Sequence, residues 1–152
     1  MKKSEWGPIV WKVLHCITIK IKDEEFINQR EKLIELITKI CSNLPCPHCS
    51  SHAIRIINNY KLKYVKKKED LIKFVHFMHN LVNKKTKKNT HSIEIIDNYK
   101  NYNTKNVLSD YYRMNTNYKT PNVKMMLHTH SRNEFLKFFY NYFNANISKF
   151  NQ

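Results

Sequence analysis

A single glycine, Gly7, in a chain of 152 residues is the strongest constraint on what this protein folds into. Two-residue hairpins and most tight turns between strands need a residue that adopts positive φ without steric cost, and glycine supplies it. A chain with one glycine and four prolines is therefore expected to be all-α, with helices joined by short polar loops. Hydrophobic residues make up 41% of the sequence, a normal fraction for a globular protein and too high for wholesale disorder. The length suffices for one domain with a real core and an appendage.

Apolar spacing sets the helices. Trp6, Val10, Trp11, Leu14, Ile17 and Ile21 recur at helical period and predict a first helix from about Glu5 to Lys20, with Ser4 as cap and Pro8 in the first turn. Phe26, Leu33, Leu36, Ile37 and Ile40 mark the buried face of a second helix, Glu24 to Ser42, broken by Asn43-Leu44-Pro45. A third runs from about Cys46 to Asn58 with Ala53, Ile54 and Ile57 inward. The fourth, Glu69 to about Lys85, has the clearest pattern: Leu71, Phe74, Val75, Met78, Leu81 and Val82. A basic loop, Lys84 to Thr90, and a short helix, His91 to Tyr99, close the domain. Asn103 to Pro121 is Asn- and Tyr-rich and reads as a linker or loosely packed arm. Phe135, Leu136, Phe139, Tyr142 and Phe143 then restore an amphipathic helix across Arg132 to Phe150.

Twenty-seven Lys and Arg against twelve Asp and Glu give a net charge of +15. That fits a polyanionic partner, an anionic surface or a phosphate-bearing cofactor. The lysines are dispersed over loops and polar faces, however, and Lys, Asn and Ile are all abundant, so compositional drift explains the charge better than nucleic acid does. No run approaches a membrane span, and the basic N-terminus has no apolar segment after it, so neither a membrane anchor nor a signal peptide is expected. The expected location is the cytoplasm. Four cysteines in that setting point to redox or metal chemistry, not a disulfide scaffold.

Cys46-Pro47-His48-Cys49 puts two thiols one turn apart at the start of the third helix, close enough to close a disulfide. The unpaired N–H groups and the dipole of a helix start favour a thiolate there. Such a motif is a redox pair, half of a zinc site or two unremarkable thiols. His76 and His79 would complete a C-x-x-C…H-x-x-H zinc set, the metal rival. Three further features bear on the choice. Trp11 and His15 are i,i+4 neighbours on the first helix, with Gly7 one turn before Trp11, where a backbone approaches something closely. His79, Asn80 and Asn83 set polar groups on an otherwise apolar fourth helix. Lys84-Lys85-Thr86-Lys87-Lys88 follows at once. Together these suit a flat heteroaromatic cofactor with phosphates: an aromatic face, hydrogen bonds to ring edges, and charge. Thiols alone do not readily hand two electrons to oxygen, so a flavin is the natural carrier.

W-G-P-x-x-W-x-x-L-H from Trp6 to His15, the C-x-x-C, then H-N-x-V-N from His79 to Asn83 with trailing lysines resembles the Erv/ALR family of FAD-linked sulfhydryl oxidases. The chain is most similar to the compact forms encoded by large DNA viruses, over roughly Trp6 to Tyr99. The resemblance implies a four-helix bundle with a short fifth helix, binding FAD and usually homodimeric. It implies a domain over 1–100, leaving a linker and C-terminal helical extension over 101–152. By motif, Cys49 is the flavin-proximal thiol and Cys46 the outward one that accepts electrons. Gly7, Trp11, His15, His79, Asn80, Val82 and Asn83 would contact the cofactor, Lys85 and Lys88 its phosphates, and Tyr99 the adenine region. The implied reaction forms disulfides in protein thiol substrates, or takes electrons from a thioredoxin-like partner, and passes them to molecular oxygen to give hydrogen peroxide. The viral resemblance would put this in the host cytoplasm or the virion.

Longer members of the family carry a second C-x-x-C as a shuttle and a structural disulfide after the active pair, and neither is present here. Cys16 and Cys41 read as buried free thiols outside the electron path. Without the resemblance, Trp6, Trp11, His15 and His79 would read as packed core residues. Zinc explains neither the tryptophan motif nor Asn80 and Asn83, so no metal is expected. The rival from another class is a basic helical nucleic-acid-binding module, which accounts for the charge but for none of the three motifs.

Overall fold

The computed structural model describes residues 1–118 and 125–152. Its helices are α1 (Lys3–Lys20), α2 (Asp23–Ser42), α3 (Pro47–Asn59), α4 (Lys68–Lys85), α5 (Ile96–Tyr99), α6 (Thr104–Asn117) and α7 (Met126–Asn146). Short 3-10 turns occupy Leu62–Tyr64, Ile93–Ile95 and Ile147–Lys149. Among the described residues there is no strand, only an isolated antiparallel bridge between Ile21 and Phe150, and no helix is long and apolar enough to cross a membrane. The all-α expectation holds, and α1 to α4 begin and end within two residues of where the apolar spacing puts them.

Every residue of α1 from Val13 to Lys20 is buried, as for a helix packed on all sides. It contacts α2, α4, α5 and α6, while α2 carries α3 and α7. The start of α1 differs from expectation. Ser4 lies inside the helix, and the side chain of Glu5 accepts the Lys2 main-chain N–H (2.6 Å) instead. Pro8 falls in the second turn, where its missing N–H leaves the carbonyl of exposed Ser4 without an intrahelical donor.

The main correction concerns the expected linker. Thr104–Asn117 is a helix, capped by the Asn103 side chain accepting Asn106 N–H (3.0 Å), and it packs against α1. Thr104, Val107, Leu108, Tyr111, Met114 and Asn115 form its buried face. That spacing is helical; polar residues between the apolar ones hid it. The end of the expected arm, residues 119–121, lies outside the described residues. Helix α7 docks through Phe135, Phe139 and Phe143, with Tyr111 on Phe139 (4.9 Å between ring centres) and Phe150 on Phe143 (5.3 Å). The Tyr142 hydroxyl donates to Gln29 Oε1 across to α2 (2.7 Å).

Low glycine content did not abolish left-handed backbone. Lys61 (φ 56°) and Lys87 (φ 58°) adopt it instead, at a cost of about 1 kcal/mol each. At Lys87 the reason is visible. Lys88 N–H reaches back to Asn83 O (2.8 Å) and Lys87 N–H to Lys84 O (3.2 Å), the paired bonds of a Schellman ending to α4.

Candidate functional site

Helix α3 opens at Cys46, which is its N-cap, with Pro47 in the first helical position and Cys49 two residues on. The Cys49 N–H donates to Cys46 Sγ (3.2 Å). Helix-start hydrogen bonding therefore falls on the outward sulfur. Cys49 is held differently: burial, then the contact with Cys46, pushes its thiol up to about 11, against the opposing charges of Lys3 and Lys85. The expected stabilised thiolate at the helix start is thus not found at Cys49, because the cavity wall withholds water from it.

That wall belongs to a cavity of about 240 Å³ between α1, α3 and α4, lined by Trp6, Gly7, Trp11, Cys49, Met78 and Lys85 among others. A second cavity of about 450 Å³ includes Lys12, His79, Asn83, Lys88, Tyr99 and Tyr102 in its lining. Lys3, Gly7, Trp11, Val82 and Thr86 line both, so the two adjoin. Together they fall in the size range of small-molecule sites, about 300–1,000 Å³. Cys46 lines neither.

An aromatic stack backs the second cavity. Trp11 lies flat on His79, 3.9 Å between centres at 10°, and Tyr99 on His15, 4.2 Å at 20°. His15 Nε2 and His79 Nδ1 share a hydrogen bond of 3.0 Å. Burial, assisted by the neighbouring His79 and His76, holds His15 down at about 3. Burial and the nearby His91, His76 and Lys88 hold His79 at about 4. Both rings are neutral at neutral pH, so one donates and the other accepts.

Of the eleven residues expected at the cofactor, nine line one or other cavity, and two, His15 and Asn80, do not. His15 lies behind the wall, fully buried, and reaches the cavity only through His79 and Tyr99. Asn80 does not line either cavity. Its side chain clasps His91, accepting the N–H (3.0 Å) and donating to the carbonyl (2.8 Å), with His76 bonded to the same carbonyl (2.9 Å). Asn80 thereby anchors the loop that carries Lys88. Helical spacing reports which face a side chain shares, not its depth, so these two positions were indistinguishable from true lining residues. Lys3 and Tyr102 went unremarked in the sequence. Lys3 is one turn before Gly7, and Tyr102 is three residues beyond Tyr99, with Lys12 Nζ 4.7 Å from its ring centre.

The residues suit a planar, phosphate-bearing group. A Cβ built on Gly7 would meet only Lys3 Cγ, at 4.0 Å, so the glycine leaves open space at the junction of the cavities. His15 Nδ1 is buried without a hydrogen-bond partner. Lys3, Lys12, Lys85 and Lys88 surround the space with positive charge. Among the described residues no cluster of three or more His, Cys, Asp or Glu side chains is arranged to hold a metal ion; His76 and His79 are engaged with His91 and His15. Cys16 and Cys41 are buried free thiols, raised by burial to about 11 and about 12, and Cys41 lies in the inner cavity wall.

The sequence profile of the Erv1 / Alr family matches residues 8–105, well over half of the chain and inclusive of both cysteines of the pair. Over 86 residues the chain is 31% identical to the FAD-linked sulfhydryl oxidase ERV2 of Saccharomyces cerevisiae, an alignment that covers 57% of this chain and 43% of the yeast protein. The chain therefore spans less than half the length of that curated relative. No solved structure matches it.

Proposed function

Since the chain belongs to the Erv1/Alr family, we propose that it is an FAD-linked sulfhydryl oxidase that forms disulfides in protein thiol substrates. The observation that carries this reading is the asymmetry of the C-x-x-C: Cys49 lines the inner cavity and Cys46 does not. One sulfur faces a cofactor-sized space and the other is left for substrate.

The cycle begins from the Cys46–Cys49 disulfide; the structure holds the reduced pair. A substrate thiolate attacks Cys46 Sγ, forming a substrate–Cys46 disulfide and breaking the Cys46–Cys49 bond, with Cys49 leaving as a thiolate. A second substrate thiolate attacks the substrate sulfur of that mixed disulfide. The substrate leaves oxidised, and its two electrons remain on Cys46 and Cys49. Lys3 and Lys85 favour the charged form of Cys49, which opposes the burial that makes it a poor leaving group. FAD, when bound, supplies the two-electron relay from this pair to molecular oxygen, giving hydrogen peroxide. Trp11, Val82 and His79 would hold its flat ring system, His79 being fixed by His15; Lys85 and Lys88 would face its phosphates, Asn83 a polar edge and Tyr99 the adenine region. A homodimer, a thioredoxin-like electron donor and a viral origin belong to the same proposal and rest on the resemblance that the motifs carry; with a viral origin goes a location in the host cytoplasm or the virion.

The division of labour is testable in single variants. Cys49→Ser is expected to reduce oxygen consumption with a small dithiol to background, about 10³-fold or more, while the protein keeps its bound flavin. Cys46→Ser is expected to stop turnover as well, but to leave Cys49 as the thiol that a bulky alkylating reagent reaches slowly. Retention of most activity in Cys49→Ser would refute the assignment.

A further inference from the structure

The C-terminal third lies almost wholly beyond residues 8–105, the part matched by the family, yet it touches the segment that delivers Cys46. Between α2 and α3 the chain runs Asn43-Leu44-Pro45-Cys46. Pro45 has no N–H, so Leu44 carries the last main-chain donor before the redox pair. Its N–H donates to Ser50 Oγ of α3 (3.0 Å). Its carbonyl accepts from the ring of His128, in the first turn of α7. One turn further along, Ser131 Oγ donates to Asn43 Oδ1 (2.8 Å), and the Asn43 amide nitrogen donates to Lys39 O (2.7 Å). The α7 end of this contact is itself fixed. Arg132 is buried, donates to Asn115 Oδ1 (2.7 Å) and sits over the Tyr118 ring (4.6 Å).

We propose that His128 and Ser131 are positioning residues for the Cys46–Cys49 pair: α7 clamps the Asn43–Leu44 segment and so holds Cys46 at the α3 N-cap within reach of Cys49. This rests on the reading of that pair as redox-active. The clamp raises the effective concentration of one thiol at the other and so favours the disulfide over the dithiol. Leu44 also lines the inner cavity beside Cys49, so the same contact holds the wall against which Cys49 sits.

The test is the equilibrium of the full-length protein with a glutathione buffer under anaerobic conditions. Two glutathione thiols reduce the Cys46–Cys49 bond, leaving two protein thiols and one glutathione disulfide. The redox state is read by alkylation and mass analysis of the peptide containing both cysteines. In His128→Ala the equilibrium is expected to move about threefold to tenfold toward the dithiol, as for one lost hydrogen bond, or about 15–30 mV for this two-electron couple. His128→Gln, whose amide nitrogen replaces the ring donor, is expected to restore the wild-type value. Ser131→Ala, the milder change on an exposed residue, is expected to give a smaller shift in the same direction, and keeps the test available if His128→Ala does not fold. A loss of global stability alone would lower the melting temperature without moving this local equilibrium. An unchanged equilibrium in His128→Ala or, if that variant does not fold, in Ser131→Ala would overturn the proposal, as would a shift that glutamine does not restore. A wild-type pair that forms no disulfide at any buffer ratio would overturn the redox reading itself.

Discussion

Cys46 and Cys49 are three residues apart and live in different surroundings: one sulfur caps a helix and accepts its N–H, the other is drawn into a cavity wall where burial disfavours its charge. Gly7 makes a similar point from the opposite direction. Glycine inside a helix costs about 1 kcal/mol relative to alanine, and nothing in the packing forbids a methyl group there, since the nearest atom is 4.0 Å from a built Cβ. What the missing side chain leaves is room at the junction of the two cavities. Gly7→Ala is therefore expected to raise the melting temperature of the cofactor-free protein by a few degrees, in line with up to about 1 kcal/mol. It is also expected to weaken FAD retention. Melting curves with and without added FAD check both; a variant with unchanged stability and unchanged FAD binding would show that the glycine does neither. At this scale the sequence was legible where a motif fixes residue type and spacing together, as for Cys49, Trp11, Val82, Asn83 and the lysines. It was not legible for depth: His15 and Asn80 share the right faces but bind neighbouring protein groups instead of lining the space.

The element least legible in the sequence is α6. Its six buried residues, Thr104, Val107, Leu108, Tyr111, Met114 and Asn115, recur at helical spacing, but they stand among other polar residues, and local composition outweighed a pattern whose partner is the face of α1, far away in sequence. The helix–helix contact that best separates packing from titration is α1 against α4 at the two histidines. Both are held far below the ordinary histidine value of about 6.5, so the unfolded chain binds protons that the folded protein cannot. Stability is therefore fully present above about pH 6.5 and falls as the pH drops from there toward 4, where the folded rings begin to charge. His15, fully buried, contributes a slope of up to about 1.4 kcal/mol per pH unit in that window. The melting temperature of the wild type is expected to decline between pH 6.5 and 4.5, and less steeply in His15→Gln, whose amide nitrogen can still bond His79. Parallel curves for the two proteins would mean that the histidine pair is not what titrates.

Across the whole molecule, the C-terminal third completes the bundle. Helix α6 covers α1, α7 covers α2, and the last residues return to the end of α1. There Asn151 N–H donates to Lys20 O (2.7 Å), Lys22 N–H to Lys149 O (2.9 Å), and Thr104 Oγ1 to Asn151 O. The buried Lys20 ammonium joins the main-chain oxygens of Lys100 (2.7 Å) and Gln152 (3.1 Å), tying the segment after α5 to the C-terminal residues. In a chain without a structural disulfide after the active pair, these contacts hold the Tyr99 end of the site. The net charge of +15 finds part of its place at the cavities, where Lys3, Lys12, Lys85 and Lys88 converge. All of this makes sense as a scaffold for one enclosed cofactor, and the absorbance spectrum of the purified, dialysed full-length protein tests that most directly. A flavin band near about 450 nm that survives dialysis is expected, with one FAD per chain released on denaturation. A colourless protein that gains no such band after incubation with FAD would contradict it.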